Sequence, residues 1–297
     1  MKCDLCPRKC LVDRKKGEKG ICGQTENLKV ARAALHFWEE PCISGDAGSG
    51  AVFFSGCPLH CVFCQNENIA NGTVGKEISL ERLVDIFLEL QEKRANNINL
   101  VTPGHFVPQI VKALDQARKE GLTLPVVYNT SSYETVDTIK MLEGYVDIYL
   151  PDFKYMSPVL SKKYSHAPDY AEVAKAAIAE MVRQTGKAVF VNGEEDNLIL
   201  SGTIVRHLTL PGCMADSMQI VKYLHDTYGD KIYISIMNQF TPLSNLEKYP
   251  ELNRRITDEE YETLVDYAID IGIENGFIQE GDTAEESFIP AFDCEGV

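Results

Sequence analysis

From Ala51 to Gln239 the chain alternates short apolar runs with amphipathic stretches, and this alternation limits the fold more than any other feature. "GAVFFSG", "NINLVT", "PVVYNT", "VDIYLPD", "TIVRHLTLPG" and "KIYISIMNQ" read as six strands. Between them lie helix-like segments, the first opening after Ser79 and the others near 106–120, 133–143, 169–185 and 216–228, with a last one at about 258–271. Ser79 is placed to cap the first, whose Leu80, Leu83, Val84, Phe87 and Leu88 share one face. Thr257 and Glu260 form a capping-box pattern before the last. Strand and helix in strict turn predict a parallel sheet flanked by helices. The fold class expected is α/β, a partial (β/α)6 TIM-like barrel with a small N-terminal metal-binding segment. A doubly wound open sheet is the competing arrangement. The expected division is 1–40, a four-cysteine segment with its connector, and 41–297, the barrel domain.

Both architectures put chemistry at the C-terminal ends of the strands. The unusual residues of this chain fall there. "SGCPLHCVFCQN" follows the first strand and carries Cys57, Cys61 and Cys64 as C-x3-C-x2-C. "TPGH" follows the second strand, "NTSS" the third and "PDFK" the fourth, while Arg206 lies inside the fifth. Three thiolates without a fourth suit a [4Fe–4S] cluster that leaves one iron open, because an open metal position is a reaction position. A zinc site would need a fourth ligand, and His60 is the one the loop offers.

Composition narrows the class of protein. A formal net charge of −15 argues against nucleic-acid binding, which relies on basic patches. No apolar run is long enough to span a membrane. Met1-Lys2-Cys3-Asp4 lacks the apolar core of a signal peptide, so the expected location is the cytoplasm. Thiols stay reduced there, so the ten cysteines point to metal or cluster binding rather than disulfides.

The loop "GCPLHCVFCQN", with Phe63 just before its last cysteine, resembles the signature of the radical S-adenosylmethionine (radical SAM) enzymes. From about Cys42 onward the sequence is similar to the branch containing pyruvate formate-lyase activating enzymes and their uncharacterised relatives. The resemblance implies a [4Fe–4S] cluster on Cys57, Cys61 and Cys64 with SAM chelated at the open iron. It implies one-electron cleavage of SAM to methionine and a 5′-deoxyadenosyl radical that takes hydrogen from a substrate. By position it places Phe63 near the adenine and Thr102 and Pro103 at the SAM amino group, although the usual Gly-Gly-Glu is absent there. Asn129, Thr130 and Ser131 would lie near the ribose and carboxylate, with Asn129 in the place of an aspartate. Asp152 and Lys154 would lie by the carboxylate, and Arg206 is a further candidate for it. No catalytic residue is assignable. A low-potential electron donor, ferredoxin or flavodoxin, is the implied partner. The implied activity is that of an activase making a glycyl radical on a protein. The alternatives are a radical SAM enzyme acting on a peptide or small molecule, and a zinc-stabilised binding protein without turnover.

Upstream, Cys3, Cys6, Cys10 and Cys22 follow C-x2-C-x3-C-x11-C. Four thiolates in a short segment hold structural zinc or a second cluster. The segment is too small for a core of its own, so a metal would supply its folding energy. Cys42, Cys213 and Cys294 read as small packed residues, and His105 and His207 as structural histidines.

Overall fold

A strand covered on both faces carries mostly apolar side chains, and four strands of this chain are of that kind. In the computed structural model, which describes residues 2–193, 197–242, 246–279 and 290–297, they form the middle of one sheet. The strands are β1 (Leu28–His36), β2 (Ser49–Phe54), β3 (Lys76–Ile78), β4 (Ile98–Val101), β5 (Val126–Thr130), β6 (Ile148–Pro151), β7 (Val189–Phe190), β8 (Ile199–Leu208), β9 (Tyr233–Met237) and β10 (Gly276–Ile278). Every residue of β2, β4, β5 and β6 is buried. The order across the sheet is β10-β9-β8-β6-β5-β4-β2-β1-β3, with β7 paired to β8. From β2 to β10 the neighbours along this order are parallel. β1 runs antiparallel to both β2 and β3. The end strands β3 and β10 do not pair, so the sheet is a partial barrel and not a closed one.

The helices match the expected periodicity with small changes at their ends. Leu80–Glu92 starts at Ser79, whose hydroxyl accepts from the Arg82 amide, and Asp258–Asp270 begins with the Thr257/Glu260 capping box. Val107–Lys119, Tyr170–Thr185 and Met214–Tyr228 fill the other long crossovers. The segment expected as a helix over 133–143 is helical only at Val136–Lys140. Its first residues are used otherwise: Glu134 accepts from the Tyr128 hydroxyl at 2.6 Å and from Thr130 at 2.5 Å. Four strands lay outside the six expected, β1, β3, β7 and β10, and β3 and β7 are only three and two residues long. β10 has only three residues, and β1 alternates incompletely, as the buried and half-buried positions of "LKVARAALH" show.

One core lies between the sheet and the helices Leu80–Glu92 and Val107–Lys119, through Leu83, Phe87, Ile110 and Leu114 against Val52, Leu100 and Tyr128. Another lies under the later helices, where Tyr155, Tyr164 and Tyr170 pack with Ile178, Ile220 and Phe240. Cys42 sits with Val127, Ile148 and Ile204 in a smaller cluster, as a packed residue. Among the described residues no helix is long and apolar enough to cross a membrane.

Candidate active site

The C-terminal ends of β2, β4, β5, β6, β8 and β9 surround one cavity of about 580 Å3, within the usual size range of small-molecule sites. Cys57, Cys61 and Cys64 form part of its wall. Phe63, Thr102, Asn129, Thr130, Ser131, Asp152, Lys154 and Arg206 line it too. Pro103 does not, because the chain turns away after Thr102, which has φ of +55°.

The cysteine loop is held from both sides. Gly56 leaves β2 with φ of +96° and donates its amide to the Ile69 carbonyl at 2.7 Å. The Val62 amide reaches the Tyr164 carbonyl at 2.9 Å, and the Ser165 hydroxyl donates to Cys61 Sγ at 2.9 Å. Phe63 is buried between Tyr155 and Phe240 with one side on the cavity, so it is both a core residue and a wall. His60 turns out of the cavity, with Nε2 2.8 Å from the Ile21 carbonyl, and does not join the cysteines as a fourth ligand.

Beside the thiols, on the same cavity, stands a charged network. Lys154 Nζ donates to Asp152 Oδ2 at 2.7 Å. Arg206 donates to Asp152 Oδ1 (3.2 Å), Asn129 Oδ1 (2.6 Å) and Glu39 Oε2 (2.9 Å). Glu39 also accepts from the Asn99 amide at 2.9 Å. Burial pushes the Asp152 carboxyl up, but the charges of Lys154 and Arg206 outweigh it and hold Asp152 below the usual carboxylate range. Burial alone would lower Lys154, and Asp152 followed by Cys61 raises it instead. The network carries fixed charges at the rim of the thiol wall.

Burial pushes the Cys57 thiol up to about 11 and Cys64 up to about 12, and raises Cys61 as well. Thiolates in this wall therefore need a strong adjacent positive centre, which a metal supplies. Among the described residues, no three Cys, His, Asp or Glu side chains are drawn around one point as the ligands of a single ion are. A cluster sets each thiolate on a separate iron and asks for a wider ring. Three soft donors on one wall, facing an open cavity with a lysine beside them, fit a cluster with an exchangeable position better than mononuclear zinc.

Sequence reasoning missed Glu39, Glu40 and Tyr170. Glu40 lines the cavity and its buried Oε2 has no hydrogen-bond partner. Burial raises its pKa most, with Arg206 acting against. The Tyr170 hydroxyl donates to the carbonyls of Ser131 or Asp152, both at 2.9 Å, and accepts from the Lys154 amide at 3.0 Å, which fixes two strand ends to each other. The adjacent carboxylates of "EEP" were the one available signal, and they lay in a stretch read as connector.

Cys3, Cys6, Cys10 and Cys22 meet around a second, narrow cavity, with Pro58, Thr102, Thr130 and Ser131 on its far side. Cys10 Sγ accepts from the Ile21 amide at 3.2 Å, and burial pushes the Cys6 thiol up to about 12. Cys213 and Cys294 line neither cavity. His207 is buried between the Phe153 carbonyl and the Ser217 hydroxyl, a structural role.

The family model described as Radical SAM superfamily matches residues 51–198. A protein of Methanocaldococcus jannaschii described as uncharacterized is 28% identical over 272 residues, 90% of this chain and 74% of its own length. Among solved structures, Streptococcus suis SuiB bound to S-adenosylmethionine is similar with a TM-score of 0.52 at 13% identity, over 76% of this chain and 48% of that one. SuiB bound to precursor peptide SuiA is similar with a TM-score of 0.50 at 12% identity, over 76% and 47%. HydG, a maturase of the [FeFe]-hydrogenase, gives a TM-score of 0.51 at 15% identity, over 78% and 52%. The chain spans about half the length of these structures, and the likeness to them is one of fold. The match of residues 51–198 to the Radical SAM superfamily model supports a [4Fe–4S] cluster, SAM and radical chemistry at this site.

Proposed function

We propose that the chain is a radical SAM enzyme acting on a peptide segment of a protein, with a glycyl-radical activase as one form of that activity. Cys57, Cys61 and Cys64 would hold a [4Fe–4S] cluster. When bound there, the cluster supplies the electron that cleaves SAM to methionine and a 5′-deoxyadenosyl radical, which takes hydrogen from the substrate. Lys154 would receive the SAM carboxylate while Asp152 keeps it charged and aimed. Arg206, clamped by Asp152, Asn129 and Glu39, holds the three strand ends in register. Thr102, Asn129, Thr130 and Ser131 offer short polar contacts along the wall, and Phe63 an apolar surface for the adenine. Phe63, with Leu59 beside it, keeps water from the reacting end.

The observation that carries the reading is the convergence of three thiols and the Lys154–Asp152–Arg206 network on one cavity at the strand ends. A peptide substrate is supported by the apolar rim: Trp38 is 56% exposed and Ile278 51%, and both line the cavity. The likeness to a fold that, in SuiB, takes a precursor peptide adds to it. Because thiolate clusters require reducing conditions, we place the protein in the cytoplasm.

The test is anaerobic. Protein loaded with iron and sulfide, given SAM and a strong reductant, is expected to release 5′-deoxyadenosine and methionine. Cys61→Ala is expected to release neither while keeping its far-ultraviolet dichroism. A colourless protein that retains zinc alone and full biological function would favour the binding-protein reading and overturn this one.

A further inference from the structure

The four N-terminal cysteines do not sit apart from the reaction cavity. Thr102, Thr130 and Ser131 line both cavities, so a single layer of side chains divides them. Pro58, the residue after Cys57, lies on the four-cysteine side. The contact is closest at Gly56, the residue before Cys57. A Cβ built on Gly56 would lie 2.5 Å from the Cys22 carbonyl oxygen. Backbone carrying one thiol set therefore rests on backbone carrying the other, with no side chain between.

Hydrogen bonds hold the two loops together. Arg8 donates to the Pro58 carbonyl at 2.9 Å and to the Ser165 carbonyl at 3.0 Å. Ser165 in turn donates to Cys61 Sγ. His60, inside the three-cysteine loop, is bonded to the Ile21 carbonyl, and the Ile21 amide donates to Cys10 Sγ. Two groups of thiols are thus joined through a few bonds and contacts. A metal that only stabilised the segment would brace the neighbouring loop. A redox centre would gain a short path to the electron-consuming cluster.

The outer face of the same segment has its own character. Residues 1–22 hold seven Lys and Arg against three Asp and Glu, in a chain whose net charge is −15. Lys2, Lys9, Lys15, Lys16 and Lys19 are exposed. Leu11 and Ile21, adjacent to Cys10 and Cys22, are 53% and 50% exposed. A basic surface that also exposes apolar residues suits a small acidic protein that docks briefly.

We propose that Cys3, Cys6, Cys10 and Cys22 hold a second [4Fe–4S] cluster, and that it is the port through which an acidic one-electron carrier protein feeds the first. The proposal rests on the radical SAM reading for what the first cluster does with the electron. An oxidised second cluster takes one electron from the reduced carrier, which leaves oxidised. The second cluster returns to its oxidised state by passing that electron to the first. The electron then enters the carbon–sulfur bond of the SAM sulfonium, which breaks to methionine and the 5′-deoxyadenosyl radical. No proton is consumed in these transfers.

Three full-length proteins test this: the wild type, the triple variant Cys57→Ala/Cys61→Ala/Cys64→Ala, and the double variant Cys6→Ala/Cys10→Ala, each loaded anaerobically with iron and sulfide in the presence of zinc. The triple variant is expected to stay brown, with about four irons and a reduced-cluster paramagnetic signal. A colourless triple variant holding one zinc overturns the second cluster. Iron missing from the double variant instead points to failure of the radical SAM reading, so the two failures are separate. If the double variant does not fold, the reduced wild type decides. Its two clusters should broaden each other's paramagnetic signal, and two full signals without interaction overturn the close placement.

The port is tested by Lys15→Glu/Lys16→Glu, which alters exposed residues alone. With an acidic ferredoxin as donor, SAM cleavage should fall at least about tenfold, and the wild-type rate should fall with added salt. With dithionite the variant should match the wild type. Equal rates with both donors, or equal losses with both, overturn the assignment of this face.

Discussion

Lys154 pairs with the Asp152 carboxylate at 2.7 Å and stands near Cys61 and Cys64 of the thiol wall. Its side chain is 16% exposed, so its charge is little screened. Replacing it with methionine removes the charge but keeps most of the length. Lys154→Met is expected to weaken SAM binding to the cluster-loaded protein by about 1.5–3 kcal/mol, the scale of a hydrogen bond to a charged group. Anaerobic titration measures it, and unchanged affinity would put Lys154 outside the site. The ion pair also sets a pH dependence for folding. Asp152 is held below its unfolded value, so its contribution is present above a pH of about 3.9 and is lost as pH falls through the folded value. Lys154 is raised, so its contribution is complete below a pH of about 10.4 and is lost as pH rises through its folded value. The stability difference between wild type and Lys154→Met is therefore expected to be flat between a pH of about 5 and 9 in urea unfolding of the metal-free chain. A slope across that window would show a titrating partner that this pairing does not contain.

At the scale of elements, the join between β2 and the cysteine loop depends on Gly56. An L residue there meets two penalties, a φ of +96° and a clash at 2.5 Å with the Cys22 carbonyl. Gly17 separates them, because its φ is +82° with no neighbouring atom within reach of a Cβ. Gly17→Ala is expected to cost about 1 kcal/mol through backbone strain alone. Gly56→Ala is expected to cost at least about 2 kcal/mol more, since backbone must move on one side. Urea midpoints measure the difference. Trypsin should then cut the displaced Arg14–Lys19 stretch faster in Gly56→Ala. Equal midpoints would mean the N-terminal segment does not press on the loop. The same contact explains why a small segment can be ordered at all: Arg8, Arg14 and Cys22 bond to or pack against the larger domain, and Arg14 reaches the His105 carbonyl at 2.5 Å.

For the whole molecule the open sheet matters. β3 and β10 end it without pairing, and the cavity collects residues from strands far apart in sequence, from His36 to Ile278. A ligand spanning these strand ends binds the folded state alone. SAM at about a hundredfold its dissociation constant should then stabilise the cluster-loaded protein by about 2.7 kcal/mol. Anaerobic thermal unfolding with and without SAM checks this. The midpoint should rise in the wild type and stay put in Cys61→Ala, and a rise in both would place SAM elsewhere.

The alternation of apolar strands and amphipathic helices, and the spacing of Cys57, Cys61 and Cys64, were legible because each is a local pattern. A strand buried on both faces is mostly apolar, and ligands on one short loop stay together in any fold. The same locality marked Ser79 and Thr257 as helix starts and put Asp152 and Lys154 on one strand end. Other features had no local signature. Glu39 and Glu40 enter the site because β1 pairs antiparallel with β2 and delivers the chain to Arg206, a partner 167 residues away. Helix 136–140 is short because Glu134 is taken by Tyr128 and Thr130, a choice that only the packed strand end enforces. The contact of Cys22 with Gly56 joins thiol sets that the sequence shows as separate motifs. Spacing determines which thiols can share a loop. Packing alone decides which loops share a wall, because that depends on contacts between residues the sequence does not place near each other.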